Sequence, residues 1–220
     1  MTGFSADSRL RDTQPTSDEP APAGARARLF VAVDVGDALR AEAARVIRAI
    51  SNQIEAVKTP PRITWVKPSV LHVTLRFIGE VEDGIVPGLC ERLTRPIVMP
   101  PFEVAWRGVG AFPSPRHPRA LWLGVVSGGA GLGALEAEVS RRLVGTVEPE
   151  ARPLLPHLTL GRIKMAGAGV DWPKVLRAVE VRDAHSMVDR VTLYRSRLSR
   201  QGPNYTGLVT APLISGTNHE

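Results

Sequence analysis

One short motif occurs twice in this chain, and it decides how the fold is interpreted. Residues 68–78 read PSVLHVTLRFI, and residues 153–163 read PLLPHLTLGRI. Pro, His, Thr, Leu and Ile stand at identical offsets in the two copies, and 85 positions separate His72 from His157. Agreement at several positions makes coincidence a poor explanation. The repeat indicates an internal duplication that brings two His-Thr pairs together around one substrate.

Each pair is expected on a β-strand, because each lies in an apolar run. Thr74 follows His72 by two residues and Thr159 follows His157 by two, so on a strand both side chains of a pair leave the same face. Two facing imidazoles can share the two proton transfers of a displacement reaction. One, neutral, takes a proton from water, and the other, protonated, gives a proton to the leaving oxygen. A threonine hydroxyl can donate to an anionic oxygen of the reacting centre. These groups suit phosphodiester chemistry better than peptide or glycoside hydrolysis.

Strands and helices alternate along the chain, and a helix precedes the motif strand in each half. This pattern predicts an α+β or α/β protein. The predicted helices cover residues 37–53, 83–95, 131–144 and 171–179. The predicted strands cover residues 29–35, 63–66, 71–78, 102–109, 120–126, 157–163, 188–194 and 205–212. A Pro-rich loop is expected between the fourth and fifth strands.

One two-lobed domain is expected over residues 28–214, because neither half could bury its sheet alone. Residues 1–27 have few large apolar side chains, so we expect a disordered tail there. A flexible C-terminus is expected over residues 215–220. No stretch approaches the ~20 apolar residues of a membrane span, and we expect no membrane partner.

The net charge and the cysteine content indicate which kind of partner the chain binds and in which cell compartment it works. The net charge is +6 and the isoelectric point about 10.2, which fits a polyanion such as RNA. The 24 arginines against 4 lysines can equally reflect the base composition of a genome. The single cysteine, Cys90, cannot form an internal disulfide, which indicates a reducing cytoplasm. We expect a monomer.

The two motifs resemble the paired His-x-Thr-x signatures of the two-histidine phosphoesterase superfamily. Within that superfamily the chain is most similar to the bacterial and archaeal RNA 2′,3′-cyclic phosphodiesterases, historically called 2′-5′ RNA ligases. Both His-Thr pairs match the signature. Further similar segments lie at residues 28–34, 64–68, 108–115, 121–124, 193–196 and 202–205.

The resemblance implies a duplicated fold and a specific reaction. Two similar lobes related by a pseudo-twofold would place antiparallel sheets around a central groove, with helices outside. The substrate would be an RNA end or nucleotide with a 2′,3′-cyclic phosphate, hydrolysed to a 2′-phosphomonoester, with 2′-5′ RNA ligation as the reverse. Family precedent makes His72 the proton donor and His157 the proton acceptor, while Thr74 and Thr159 bind the phosphate. No cofactor is implied.

Three other residues are candidates for substrate contacts. Arg76 stands two positions after Thr74, so it would share the face of the first pair if the strand continued regularly. Arg162 is the nearest arginine in the second motif, and Tyr194 could stack on a base. Trp65 could stack on a base as well, although core packing is the stronger interpretation.

The remaining histidines do not have the spacing of metal ligands, so we expect no metal site. They are His117, His185 and His219. His117 is either a surface residue of the Pro-rich loop or part of the substrate groove. His185 and His219 are interpreted as incidental.

Two other functions remain open from the residues. The chain could be a related diesterase acting on a small nucleotide, such as a cyclic ADP-ribose phosphate or a 2′-5′ linkage. It could also be an RNA- or nucleotide-binding module without turnover. Hydrolysis of a 2′,3′-cyclic mononucleotide that is insensitive to chelator would favour the enzymes.

Overall fold

Two five-stranded sheets and four α-helices make up the described parts of the computed structural model, which are residues 25–55, 57–199 and 202–216. The strands are β1 (Arg26–Asp34), β2 (Arg62–Trp65), β3 (His72–Glu82), β4 (Ile97–Val98), β5 (Phe102–Ser114), β6 (His117–Ser127), β7 (His157–Met165), β8 (Ala184–Val188), β9 (Arg190–Ser199) and β10 (Gly202–Ile214). The helices are α1 (Asp37–Glu55), α2 (Val86–Thr94), α3 (Gly129–Leu143) and α4 (Trp172–Ala178). The predicted α+β class is confirmed.

The two motif strands lie in different sheets. The first sheet has the order β3-β1-β9-β10-β4, and the second has the order β2-β7-β6-β5-β8. All pairs are antiparallel except the short pair between β10 and β4. Strand β3, at the edge of the first sheet, packs against β7 of the second. The lobes therefore meet where the two motifs are.

Helices α1 and α3 each pack mainly against the sheet of the other lobe, instead of the sheet whose strand they follow. Helix α1 follows a strand of the first sheet but packs with α4 against strands β5 and β8 of the second. Helix α3 follows a strand of the second sheet but packs with α2 against the first, on β3 and β10. Each helix buries an apolar stripe, which in α3 consists of Leu132, Leu135, Val139 and Leu143. This exchange is why one continuous core joins both lobes.

The predicted strand over residues 188–194 is in fact two strands. Val188 ends β8, where it pairs with Phe102 in the second sheet, while Val191 and Leu193 belong to β9 in the first. The chain crosses between the lobes at Asp189. An apolar residue on both sides of the crossing makes the segment look continuous in sequence. His185, predicted to lie between elements, is in β8.

The Pro-rich segment forms a hairpin instead of the predicted loop. Strand β5 extends to Ser114 and β6 begins at His117, so only Pro115 and Arg116 turn the chain. Pro113 and Pro118 pair at the turn end of the hairpin, beside an irregularity in the register. Proline has no N–H to give to a ladder, and such an end tolerates that loss.

The first strand begins slightly earlier than predicted. Arg26 and Ala27, expected in the tail, belong to β1, and Ala27 is buried. The rest of the expected tail, residues 1–24, and residues 217–220 of the expected C-terminus lie outside the described residues. In the described part of the chain, no helix is long and apolar enough to cross a membrane.

Candidate active site

The two motif histidines are held in the same way. The carbonyl oxygen of Val70 accepts a hydrogen bond from His72 Nδ1 at 2.9 Å, and that of Leu155 accepts one from His157 Nδ1 at 2.7 Å. In each case the carbonyl belongs to the residue two positions before the histidine. A carbonyl can only accept, so each Nδ1 carries a proton and each Nε2 is left to exchange one.

A bulge follows each His-Thr pair. Between β3 and β1, Thr74 pairs with Ala32 and Arg76 with the adjacent Val31, so one extra residue lies on β3. Between β7 and β6 the same irregularity follows Thr159. Bulges reverse the alternation of side chains along a strand. The face of the histidine therefore resumes five residues after it, at Phe77 in one lobe and Arg162 in the other, and both of these are exposed.

The expectation for Arg76 is wrong because of this bulge. Its side chain is only 4% exposed, and its guanidinium donates to the carbonyl oxygen of Glu148. It lies with Leu75 on the buried side of β3, away from the face of His72 and Thr74. In β7 the equivalent place is taken by Gly161, where a Cβ would lie 2.6 Å from the ring of Trp65.

Trp65 packs over Gly161 and against the core, so the core interpretation of this tryptophan is the one its contacts support.

Arg162 is the arginine that faces both histidines. It lies on the groove side of β7, and its charge lowers the pKa of His72 and of His157. It also acts on Tyr205, whose pKa is raised mainly by burial and opposed by Arg162. One guanidinium thus reaches residues of both lobes. An arginine in such a position is suited to an anionic phosphate.

Aromatic rings surround each imidazole. Phe30 lies 4.8 Å from His72 between ring centroids and stacks on Tyr194 at 5.3 Å. Tyr205 meets His72 edge-on at 5.1 Å. In the other lobe, Phe112 meets His157 edge-on at 4.9 Å. These rings remove water from the imidazoles and hold their orientation.

Trp122 is a second aromatic residue beside His157. Its ring lies over Gly110 and Gly124, where an added Cβ would come within 2.2 Å and 3.2 Å of ring atoms. The centroids of Trp122 and His157 are 6.5 Å apart. Gly110 is therefore required for the tryptophan to lie beside the histidine, and a side chain at Gly124 would crowd the same ring.

Burial lowers the pKa of both histidines from the ordinary value of 6.5. For His72 the hydrogen bond to Val70 and the negative charge of Asp34 oppose that effect, while the charges of Arg162 and His157 add to it. For His157 only the hydrogen bond to Leu155 opposes burial. The charge of Asp34 thus favours the protonated state of His72 and has no counterpart at His157.

Tyr194, predicted as a substrate contact, has a structural partner. Its hydroxyl donates to Asp34 Oδ1 at 2.6 Å, and burial together with this carboxylate raises the pKa of Tyr194 to about 12. Its ring lies in the aromatic group around His72. The structure therefore places it in the groove and ties it to Asp34.

Sequence reasoning did not single out Asp34, Phe30, Tyr205, Phe112 or Trp122. Asp34 had one usable signal, because it is a lone carboxylate at the end of an apolar strand. The aromatic residues lack such a signal, since their positions beside the histidines depend on strand order. His117 and His185 lie outside the groups of rings around the two motif histidines. In the described part of the chain, no group of three or more His, Cys, Asp or Glu side chains is arranged to hold a metal.

Comparison with known proteins agrees with this geometry. Residues 38–122 match the family described as LigT like Phosphoesterase. An RNA 2′,3′-cyclic phosphodiesterase of Aeropyrum pernix is 40% identical over 62% of this chain and 78% of its own. One of Archaeoglobus fulgidus is 34% identical over 82% of this chain and 97% of its own.

Solved structures show the same fold. The crystal structure of Escherichia coli LigT complexed with 3′-AMP has a TM-score of 0.61 and 26% identity, covering 87% of this chain and 100% of that one. A crystal structure of a Thermus thermophilus protein has a TM-score of 0.62 and 27% identity, covering 86% and 98% of the two chains. The expected two-lobed arrangement is therefore confirmed.

Proposed function

The chain belongs to the LigT-like phosphoesterases, and we propose that it hydrolyses the 2′,3′-cyclic phosphate of RNA ends or nucleotides to a 2′-phosphomonoester. The observation that carries this proposal is the matched anchoring of the two imidazoles. Each Nδ1–H is bound to a carbonyl, so each Nε2 is available for proton transfer from its own side of the groove. The names of the relatives support the same reaction.

His157 acts as the base and His72 as the acid. Water attacks phosphorus while His157 Nε2 removes its proton, and the P–O3′ bond breaks as His72 Nε2–H protonates the leaving O3′. After one turnover His157 is protonated and His72 is neutral. Proton exchange with solvent then restores the starting protonation state of both histidines. Asp34 supports this polarity, because its charge raises the pKa of His72 and has no counterpart at His157.

Thr74, Thr159 and Arg162 stabilise the charge on the phosphate. The two hydroxyls stand beside their histidines on the groove face and donate to the non-bridging oxygens. Arg162 places a fixed positive charge near both histidines, where negative charge increases during attack. In the free enzyme, the positive charge of Arg162 disfavours protonation of both imidazoles. The negative charge of the dianionic transition state offsets that effect.

Tyr194 acts through Asp34 in this scheme. Its hydroxyl fixes the carboxylate that faces His72, and its ring packs on Phe30. A base stacked directly on Tyr194 would have to displace that packing. We therefore assign Tyr194 to positioning.

A monomeric, cytoplasmic enzyme is the form we propose. Both histidines, both threonines and Arg162 come from one chain, so the site needs no second copy. Cys90 is a free thiol, which fits a reducing compartment. Size-exclusion chromatography with light scattering tests the first statement, and fractionation of the producing cells tests the second.

Turnover of a 2′,3′-cyclic mononucleotide tests the function. Phosphorus NMR should show a 2′-monophosphate as the product, with and without chelator. His72→Ala and His157→Ala should each lower turnover on the order of 10²–10⁴, as expected for a lost acid–base partner. His185→Ala is the matched control, because the side chain of His185 is exposed and contacts Glu103. Wild-type turnover in either motif variant, or a 3′-monophosphate as the only product, would contradict the proposal.

A further inference from the structure

A basic cleft lies at the far end of β7 from the motif histidine. Its volume is about 530 Å³, and Arg116, His117, Arg119 and Lys164 line it together with apolar residues and glycines. All four of these basic side chains belong to exposed residues. None of the residues that line the cleft is acidic. The cleft is thus a concentration of positive charge in a concave surface.

The four basic groups are available to a ligand. Every ion pair found in the described part of the chain joins other residues. The nearest carboxylate in sequence is Asp171, beside the lining residue Trp172, and its Oδ1 accepts from the backbone N–H of Lys174 at 3.0 Å. That carboxylate is used to cap α4.

The wall of the cleft is fixed in place. Gly167 has a φ of +72°, and an added Cβ would lie 2.5 Å from the carbonyl oxygen of Thr59. The backbone N–H of Ala168 donates to the same carbonyl at 3.0 Å. The loop that carries Gly167 is therefore seated closely against the segment before β2. A fixed wall keeps the concave shape without a ligand.

The cleft lies farther along β7 than the motif residues. Arg162, which faces both histidines, lies between His157 and the cleft residue Lys164 along β7. Lys164 is two residues beyond Arg162 on β7. Lys164 is seven positions after His157 on the same strand, a distance of roughly 20 Å at about 3.3 Å per residue. A single nucleotide at the histidines is too short to reach that far.

We propose that this cleft binds the phosphate backbone of the RNA strand whose end is hydrolysed, several nucleotides from the cyclic phosphate. The proposal rests on the proposed function, because that function places an RNA end between the histidines. Arginine and lysine side chains in a concave surface hold a nucleic-acid backbone without reading its sequence. The cleft would make the enzyme prefer an RNA chain over a mononucleotide.

Binding of RNA to a variant of the cleft tests this proposal. Arg116→Gln combined with Arg119→Gln removes two charges and keeps polar side chains of similar length. The matched control is Arg48→Gln combined with Arg92→Gln, on the outer faces of α1 and α2, where both arginines are exposed. The probes are a fluorescent 12-nucleotide RNA ending in a 2′-phosphate, followed by anisotropy, and a 2′-mononucleotide, followed by calorimetry.

The cleft variant should bind the 12-nucleotide RNA about tenfold more weakly at low salt. The slope of log affinity against log salt should flatten by about 1.4, since each of the two lost phosphate contacts on a single strand removes ~0.7. Affinity for the mononucleotide should be unchanged, and the control variant should match the wild type with both probes. Equal RNA affinity in the cleft variant and the wild type would overturn the proposal.

The outcome is separable from the test of the proposed function. Anisotropy needs no turnover, so it decides the role of the cleft even for an enzyme that leaves cyclic phosphates intact. Where the wild type does turn over, the KM of a cyclic-phosphate RNA should rise in the cleft variant, while kcat/KM for a cyclic mononucleotide stays at the wild-type value. A loss of mononucleotide turnover in that variant would place Arg116 and Arg119 in the catalytic groove and contradict the proposal.

Discussion

Asp34 lies directly opposite His72 across the pair of β1 and β3, whereas Gly124 holds the matching place opposite His157. The two histidines are otherwise anchored alike, each by a carbonyl two residues before it. The carboxylate is therefore the charged group that distinguishes these two half-sites. Burial lowers the pKa of both histidines, but the charge of Asp34 opposes that effect at His72 and not at His157, and so favours His72 as the group that begins the reaction protonated.

Asp34→Asn should move one limb of the pH profile. Removing the carboxylate lowers the pKa of His72, and activity that needs protonated His72 is then lost at a lower pH. The alkaline limb of kcat/KM should shift toward acid while the acidic limb stays in place. Tyr194→Phe, which removes the hydrogen bond to Asp34 but keeps the ring and the charge, should shift the same limb less. Movement of the acidic limb instead would mean that the roles of the histidines are reversed.

Arg162→Ala should lower kcat/KM on the order of 10²–10³, as expected when a group that stabilises the transition state is removed. Because the charge of Arg162 lowers the pKa of both histidines, its loss should also move both limbs toward higher pH. Arg162→Lys keeps the charge and should recover part of the rate with an unshifted profile. An alanine variant with the kinetics of the wild type would remove Arg162 from the site.

Thr74→Val and Thr159→Val test the phosphate-binding hydroxyls. Each change removes one donor at nearly constant volume and should weaken the binding of a 2′-monophosphate by roughly tenfold, the effect of losing a hydrogen bond to a charged group. Calorimetric titration of the product measures this directly. Unchanged product affinity in both variants would dismiss the role.

Gly110→Ala should disturb the second half-site through packing. The added Cβ would lie 2.2 Å from the ring of Trp122, which stands beside His157. We expect a loss of about 1–3 kcal/mol in the free energy of unfolding, with lower turnover. Gly133→Ala in α3 meets nothing within 4 Å and should instead stabilise the chain by roughly 0.5–1 kcal/mol. Denaturant unfolding of both variants checks the pair, and equal stabilities would contradict this packing.

The parts of the site that follow from local periodicity were predictable. His72 with Thr74, and His157 with Thr159, lie on one face because side chains alternate along a strand. The repeat of the motif also predicted two lobes. The error at Arg76 came from the bulge after Thr74, since an extra residue in a strand has no reliable signature in a single sequence.

Long-range pairings explain what else was missed. Asp34 and Tyr194 are 160 positions apart in sequence, and only the adjacency of β1 and β9 joins them. The basic cleft likewise combines the hairpin after β5 with the loop after β7. Residues 188–194 looked like one strand because apolar residues lie on both sides of the crossing at Asp189. None of these relationships is encoded in the periodicity of a single segment.

The pH dependence of kcat/KM for a 2′,3′-cyclic mononucleotide tests the paired histidines most directly. One histidine must be neutral and the other protonated, so the wild-type profile should be a bell whose two apparent pKa values belong to the coupled pair. Because burial lowers the pKa of both histidines, the optimum should lie below the ordinary histidine pKa of 6.5. His157→Ala should abolish mainly the acidic limb and His72→Ala mainly the alkaline one. A flat profile from about pH 5 to 9, with chemistry rate-limiting, would show that the two histidines do not exchange protons with the substrate.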